Sequence, residues 1–423
     1  MPRAAATVLT RGQLCTYGLL GMPLAFAALP LYVHVPKLYA DALGMSLSLV
    51  GAVLLGARLL DALIDPVIGW WSDRLGSRKR MIAAAMPLLG IAMYGLLAPR
   101  AEWVGVTWLA GALAVVYLGF SIAQINYYAW GAEITALHHE RTRITAWREG
   151  FTLVGVVAAA ALPAIFDTNL ARGLERLAWM FLPLLAFASV ISLLTGPPSS
   201  GVRPQHANLR EAISRALGNR AFTRLLAVFA FNGIASAVPA TLVLFFVADV
   251  LQLEHLNGLF LVLYFIAGVA ALPLWVALSR HVGKGWAWLA SMGLACAVFI
   301  WAWGIGPGAA VAFGMICVLS GAALGADLAL PPSMLADAIE IDGNGDVGAE
   351  SGAYFGIWNL VTKLNLALAA GIALPLLAAL GYEPGARDAD ALASLSFVYA
   401  LVPVVLKVLA ALFLWYGLLR RRG

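Results

Sequence analysis

The sequence predicts an all-α integral membrane protein of twelve transmembrane helices, built as two six-helix repeats. Three observations predict it. Apolar residues make up 62% of the 423 positions and charged residues 12%, against about 45–50% and about 25% in soluble domains. The apolar residues fall into runs long enough to cross a bilayer, which takes about 20 residues in a helix. Cations gather in alternate connections between those runs, as they do in the cytoplasmic loops of membrane proteins.

Taken in order, the first run, 13–36, follows Arg3 and Arg11 and is too long for the apolar core of a cleavable signal. Runs at 45–71, 80–98, 105–134, 143–166 and 174–196 complete the first half. The polar stretch "TGPPSSGVRPQHANLREAISRALGNR", 195–220, then breaks the rhythm. It opens on Pro and Gly and ends in a short amphipathic helix, "LREAISRAL". Runs at 222–250, 256–279, 285–304, 308–338, 350–380 and 391–419 form the second half. The predicted organisation is an N-terminal bundle over 1–196, a middle loop over 197–221 and a C-terminal bundle over 222–423. The runs are continuously apolar, without the alternation of membrane β-strands.

Charge predicts orientation. Of 27 Lys and Arg, nineteen lie on the side that carries both termini, and five on the other: Lys37, Arg100, Arg172, Arg176 and Arg387. Arg58, Lys363 and Lys407 fall inside spans. Both termini are therefore expected in the cytoplasm, with the chain in the cell's inner (plasma) membrane. The halves also echo one another. "SDRLGSRK" after span 2 returns as "SRHVGK" after span 8, offset by 207, and Glu133 in "GAEIT" matches Asp337 in "LADAI" at an offset of 204.

Several function classes drop out. The net charge of +5 is spread between apolar runs, so no nucleic-acid partner is expected. Cys15, Cys296 and Cys317 have no paired spacing and read as small buried hydrophobes. The six histidines are scattered over ends and loops, so no enzyme site, metal site or cofactor is expected. A sensor would need a soluble domain, and the sequence shows none. The expected partners are the lipid bilayer and a small solute, and the expected state is a monomer.

Ionisable groups at membrane depth cost about 2.5–3.5 kcal/mol each on an insertion scale, so they should face a cavity or a partner. Asp61 and Asp65 in "RLLDALIDP" are one turn apart on a single helix face, with Arg58 just before them. Two adjacent carboxylates resist ionising together, which suits a proton or sodium site. A purely structural reading pairs Arg58 with Asp61 and leaves Asp65 to packing. Beyond them, Gly69 permits close packing, Asp73 and Arg74 could anchor or gate, and Arg78, Lys79 and Arg80 hold the loop in the cytoplasm. Span 4 carries Gln124, Asn126, Tyr127, Tyr128 and Trp130, a patch able to bind a solute or to glue helices together. Glu133 lies near its cytoplasmic end, to pair with loop cations or gate. Arg148 begins span 5, where it could equally be an anchor. Lys363 is well inside span 11, and Asp327 in mid-span 10 could neutralise it. Asp337 is at a helix end, solvated or gate-forming. Lys407 has no evident partner, and snorkelling or packing is the default.

"RLLDALIDPVIGWWSDR", "NYYAWGAEIT", "ERTRITAWREG", "MLADAIEID" and "ESGAYFGIWNLVTK" together resemble the glycoside–pentoside–hexuronide:cation symporters, the melibiose-permease branch of the major facilitator superfamily. The resemblance covers nearly the whole chain. It implies the major facilitator fold and transport by alternating access. It implies that Asp61, Asp65 and Ser121 bind the coupling cation, that Arg148 lines the solute cavity or its gate, and that Lys363 faces the cation site. Two departures matter. Sodium-using members carry Asn just before the second acid, where this chain has Ile64, which favours H+ over Na+. A helix-4 acid that holds sugar hydroxyls is Gln124 here. The expected solute is a sugar or glycoside, bound by Gln124, Tyr128, Arg148, Asp327 and Lys363. The alternatives are an amphipathic solute such as a lysolipid, or export of a drug or metabolite.

Overall fold

The computed structural model describes residues 9–75, 77–100, 102, 104–134, 138–198, 209–342 and 351–419. Among them, twelve helices are long and apolar enough to cross a membrane. They are α1 (Arg11–Ala42), α2 (Leu47–Gly69), α3 (Arg78–Leu97), α4 (Val106–Gly131), α5 (Arg143–Phe166), α6 (Leu170–Thr195), α7 (Arg220–Val250), α8 (Glu254–Val282), α9 (Lys284–Trp303), α10 (Ala310–Leu335), α11 (Gly356–Ala379) and α12 (Ala389–Gly417). The amphipathic stretch in the middle of the chain is helical over Leu209–Gly218. Several helices overrun their apolar cores: α2 continues to Leu75, α4 to Glu133 and α10 to Asp342.

The chain forms two compact units, Met1–Met45 with Val53–Pro204, and Ser46–Ala52 with Gln205–Gly423. In the first, α1 packs on α5, and α3 on α4 and α6. In the second, α8 packs on α10, and α7 on α11 and α12. Small residues set these approaches. A methyl group added at Gly155 of α5 would lie 2.1 Å from the Met22 carbonyl oxygen of α1. One added at Gly321 of α10 would lie 2.2 Å from the Tyr264 carbonyl oxygen of α8. With no hydrophobic drive between helices in lipid, such close approaches supply the packing contacts. Gly69, expected to serve the same purpose, faces open space; the close packing there is a correction to the sequence reading.

α1 breaks after Gly18 and resumes at Gly21. Pro23 has no N–H for the Leu19 carbonyl, and the Met22 N–H bonds that oxygen instead at 3.2 Å, one residue short of the helical register. α1 also runs past its expected end at residue 36, through a π-helical turn at Leu38–Ala42. The second unit repeats this device at Phe246–Val250, offset by 208. Leu43 and Leu251 close the two turns onto Leu38 and Phe246, and Met45 and Leu253 reach back to Tyr39 and Val247 at 2.9 Å each. Asp41 and Asp249 hold equivalent places, the first 3.8 Å from Lys37 and the second 3.2 Å from Arg387.

The turn after each π segment needs a left-handed residue. The first unit uses Gly44 (φ 70°), the second Gln252 (φ 59°). A side chain costs about 1–2 kcal/mol in that conformation, offset by the smaller entropy that a non-glycine loses on folding. Gln252→Gly is expected to stabilise the protein by about 0.5–1 kcal/mol, read as a higher melting temperature in detergent. Gly44→Ala is expected to lower it.

Candidate functional site

The spacing 58, 61, 65 and 72 keeps one stripe of α2 polar, because each step is three, four or seven residues. α4 meets that stripe. Asp61 is 5% exposed; the Ser121 hydroxyl donates to its Oδ1 at 2.6 Å. Arg58 Nη1 lies 3.5 Å from the other oxygen, Oδ2, and its guanidinium sits 4.5 Å above the Tyr117 ring. Asp65, one turn on, is half-buried. Further along, Ser72 donates to Asn126 Oδ1, and the buried Arg78 donates to Ser72 at 2.6 Å. Asp61, Ser121 and Arg58 are thus brought together, with a carboxylate that has one oxygen on a hydroxyl and the other on a cation.

A cavity of about 160 Å³ opens beside this cluster within the first unit. α1 lines it with Gly21, Leu24, Ala25, Ala28 and Tyr32, α4 with Phe120, Gln124, Tyr127 and Tyr128, and α5 with Thr152 and Val156. Gln124 Nε2 donates to the Tyr128 hydroxyl at 3.3 Å. The Arg148 guanidinium stacks 4.2 Å from the Tyr128 ring centre and donates to Glu149 at 2.7 Å. Two features join cavity to cluster. Phe120, a cavity wall, directly precedes Ser121, and Tyr32, another wall, lies in the electrostatic field of Arg58.

The expected span-4 patch divides by helical azimuth. Gln124, Tyr127 and Tyr128 reach the cavity, whereas Asn126 turns to Ser72 and the buried Trp130 donates to the Pro197 carbonyl at 3.0 Å. The Tyr17 and Tyr127 hydroxyls each donate to the other's carbonyl oxygen, at 3.1 and 2.9 Å, and so fix α1 against α4. Tyr32 and Thr152 were missed by the sequence reading. The signals were a hydroxyl at the end of the apolar span 1 and a threonine one turn after Arg148.

Two of the three loop cations serve packing as well as charge bias. Arg78 is buried, and Lys79 donates to the Gly196 and Leu193 carbonyls at 2.8 and 3.3 Å, capping the C-terminal end of α6. Asp337 pairs with Lys284 at 2.6 Å. The side chains of Asp73, Arg74 and Glu133 lie outside the described residues.

Asp327 requires a correction. Its described ion-pair partner is Lys407 of α12, at 3.5 Å, where the sequence reading offered Lys363. Lys407 is buried and does not snorkel. Lys363 is half-buried on α11.

The chain matches the family described as MFS/sugar transport protein over residues 15–419. The sphingosine-1-phosphate transporter MFSD2B of Mus musculus is 24% identical, with 96% of this chain and 90% of that protein covered. The uncharacterized symporter sll1374 of Synechocystis sp. is 22% identical over 78% of each chain. A solved bacterial homologue of the human lysosomal transporter Spinster shares the fold, with a TM-score of 0.72 at 14% identity over 96% of each chain.

Proposed function

Because this chain belongs to the MFS/sugar transport protein family, we propose that it is a cation-coupled symporter that moves a small solute by alternating access. It is a multi-pass membrane transporter; coupling, solute and orientation are the proposed part, with both termini in the cytoplasm. The observation that carries the proposal is the Arg58–Asp61–Ser121 cluster set beside a cavity of about 160 Å³. Arg58, Asp61 and Asp65 together leave one net negative charge, which a single bound cation cancels. A neutral cluster moves through low-dielectric surroundings at much lower cost than a charged one. Solute in the cavity and a cation at the cluster then favour each other through Tyr32, Phe120 and Ser121, and that mutual preference is all that coupling requires.

We favour a proton as the cation. Sodium is a hard ion that seeks several oxygen ligands. Here Asp61 already faces a guanidinium, and Ile64 supplies no oxygen before Asp65. The symporter name of the Synechocystis relative supports coupling. For the solute, Gln124, Tyr128 and Thr152 offer hydrogen bonds suited to a sugar or glycoside. A second reading is an amphipathic solute with an anionic head. It is favoured by the apolar wall from α1, by Arg148 over Tyr128, and by the similarity to a sphingosine-1-phosphate transporter.

Thermal-shift titration with sodium at fixed pH tests the ion: no stabilisation is expected, because a ligand raises the melting temperature only if it binds the folded state. A sodium-dependent rise would overturn the proton assignment. A proteoliposome uptake screen over sugars, uronides and lysolipids then separates the two solute classes.

A further inference from the structure

We propose that Asp327 is a second proton-binding site, held in the second unit by Lys407, Asn232 and Trp288. This goes beyond the coupling reading, which places its cation at Asp61 and Asp65. Asp327 Oδ1 accepts from Asn232 Nδ2 at 2.9 Å and from Trp288 Nε1 at 2.7 Å. Its Oδ2 faces Lys407 Nζ at 3.5 Å. Lys407 Nζ donates to Asn232 Oδ1 at 2.7 Å and to Ser236 Oγ at 3.1 Å. The amide of Asn232 has one workable orientation here, since a carboxylate only accepts and an ammonium only donates. Asp327, Asn232 and Lys407 thus close a ring across α10, α7 and α12, with Trp288 bracing it from α9.

The ring is arranged so that the acid can change charge without stranding the base. Lys407, 4% exposed, keeps two neutral oxygen acceptors that do not depend on Asp327. Asp327 keeps both of its donors on Oδ1, which leaves Oδ2 to form the new O–H bond. The proton comes from hydronium through the 15% of the side chain that is exposed, and it cancels the carboxylate charge. Among the described residues, the other groups come from α7, α9 and α8. α7 brings the neutral Asn232 and Ser236. α9 brings Trp288 and the Cys296 thiol, which is close enough to feel the Lys407 charge. α8 meets α10 through glycine, with Gly268 against Gly321 and Gly325. Stability alone does not call for this arrangement, because a buried ion pair is often no better than apolar residues of the same volume.

The test is pH-difference infrared spectroscopy on the purified full-length protein in lipid, with the proton as the only probe. The carbonyl stretch of protonated carboxyl groups is followed in wild type, in Asp61→Asn/Asp65→Asn, and in each with Asp327→Asn added. In the Asp61→Asn/Asp65→Asn background a buried carboxyl band should persist that Asp327→Asn removes. Lys407→Gln should change the pH at which the same band appears, since the cation facing Oδ2 is gone. If Asp327→Asn leaves the bands unchanged, the pair is a fixed tie and the proposal is overturned. Should Asp327→Asn not fold, Lys407→Gln carries the test: a shifted band supports the proposal and an unshifted one overturns it. If Asp61→Asn/Asp65→Asn changes nothing while Asp327→Asn removes a band, the coupling reading fails and this one stands.

Discussion

Asp65→Asn and Asp61→Asn are each expected to abolish uphill solute accumulation while leaving solute exchange across the membrane intact. The reason is the charge balance of the α2 cluster. With either acid neutralised, Arg58 and the remaining carboxylate already sum to zero, so the solute-loaded carrier reorients without a proton and the two fluxes come apart. Asp61→Asn carries a further cost. It removes the acid from the buried Arg58–Asp61 pair, and breaking such a pair destabilises by about 3–5 kcal/mol. The melting temperature should fall more for Asp61→Asn than for the half-buried Asp65. Arg58→Met combined with Asp61→Asn restores one net negative charge and removes the stranded cation. This double variant should regain stability and part of the coupling. A purely structural Arg58–Asp61 pair also returns stability in the double variant, but it predicts that Asp65→Asn transports as wild type does.

Gly155→Val is expected to destabilise the protein by about 3 kcal/mol or more and to remove transport with it. A Cβ at this position would overlap the backbone of Met22 rather than a side chain that could swing away. Overpacking a tight contact costs about 1–3 kcal/mol, and more where backbone must shift. The loss reaches function because α1 and α5 supply two of the cavity's three walls. Gly150, five residues earlier on α5, has open space where a methyl group would go. Gly150→Ala should therefore gain about 0.5–1 kcal/mol from helix propensity and leave transport unchanged. Thermal melts and uptake on the two variants separate packing from propensity.

The helices were legible because a bilayer imposes a length and a composition on every span, and α3, α9 and α12 begin and end within about two residues of their apolar runs. The π-helical turns at Leu38–Ala42 and Phe246–Val250 were not, since they lie in runs whose hydropathy does not change there. Within the site, Asp61 stood out because carboxylates are rare at membrane depth, and its hydroxyl partner Ser121 came from the resemblance. What failed was pairing between helices. Asp327 was offered to Lys363 because both charges lie well inside their spans, yet the side chain faces α12 and Lys407. Helix azimuth around a bundle is fixed by packing at glycines such as Gly321 and Gly325, and a one-dimensional reading does not contain it. The same limit grouped Asn126 with Gln124, although two residues on a helix point about 200° apart.

The central claim is that a proton bound at Asp61 and Asp65 travels with the solute. The most direct measurement is solute-driven proton flux into proteoliposomes, compared with solute counterflow in the same vesicles, for wild type and Asp65→Asn. The account predicts that wild type moves protons with solute, and that Asp65→Asn exchanges solute at a comparable rate with no proton flux. Proton flux in Asp65→Asn that still follows the solute as it does in wild type would contradict it.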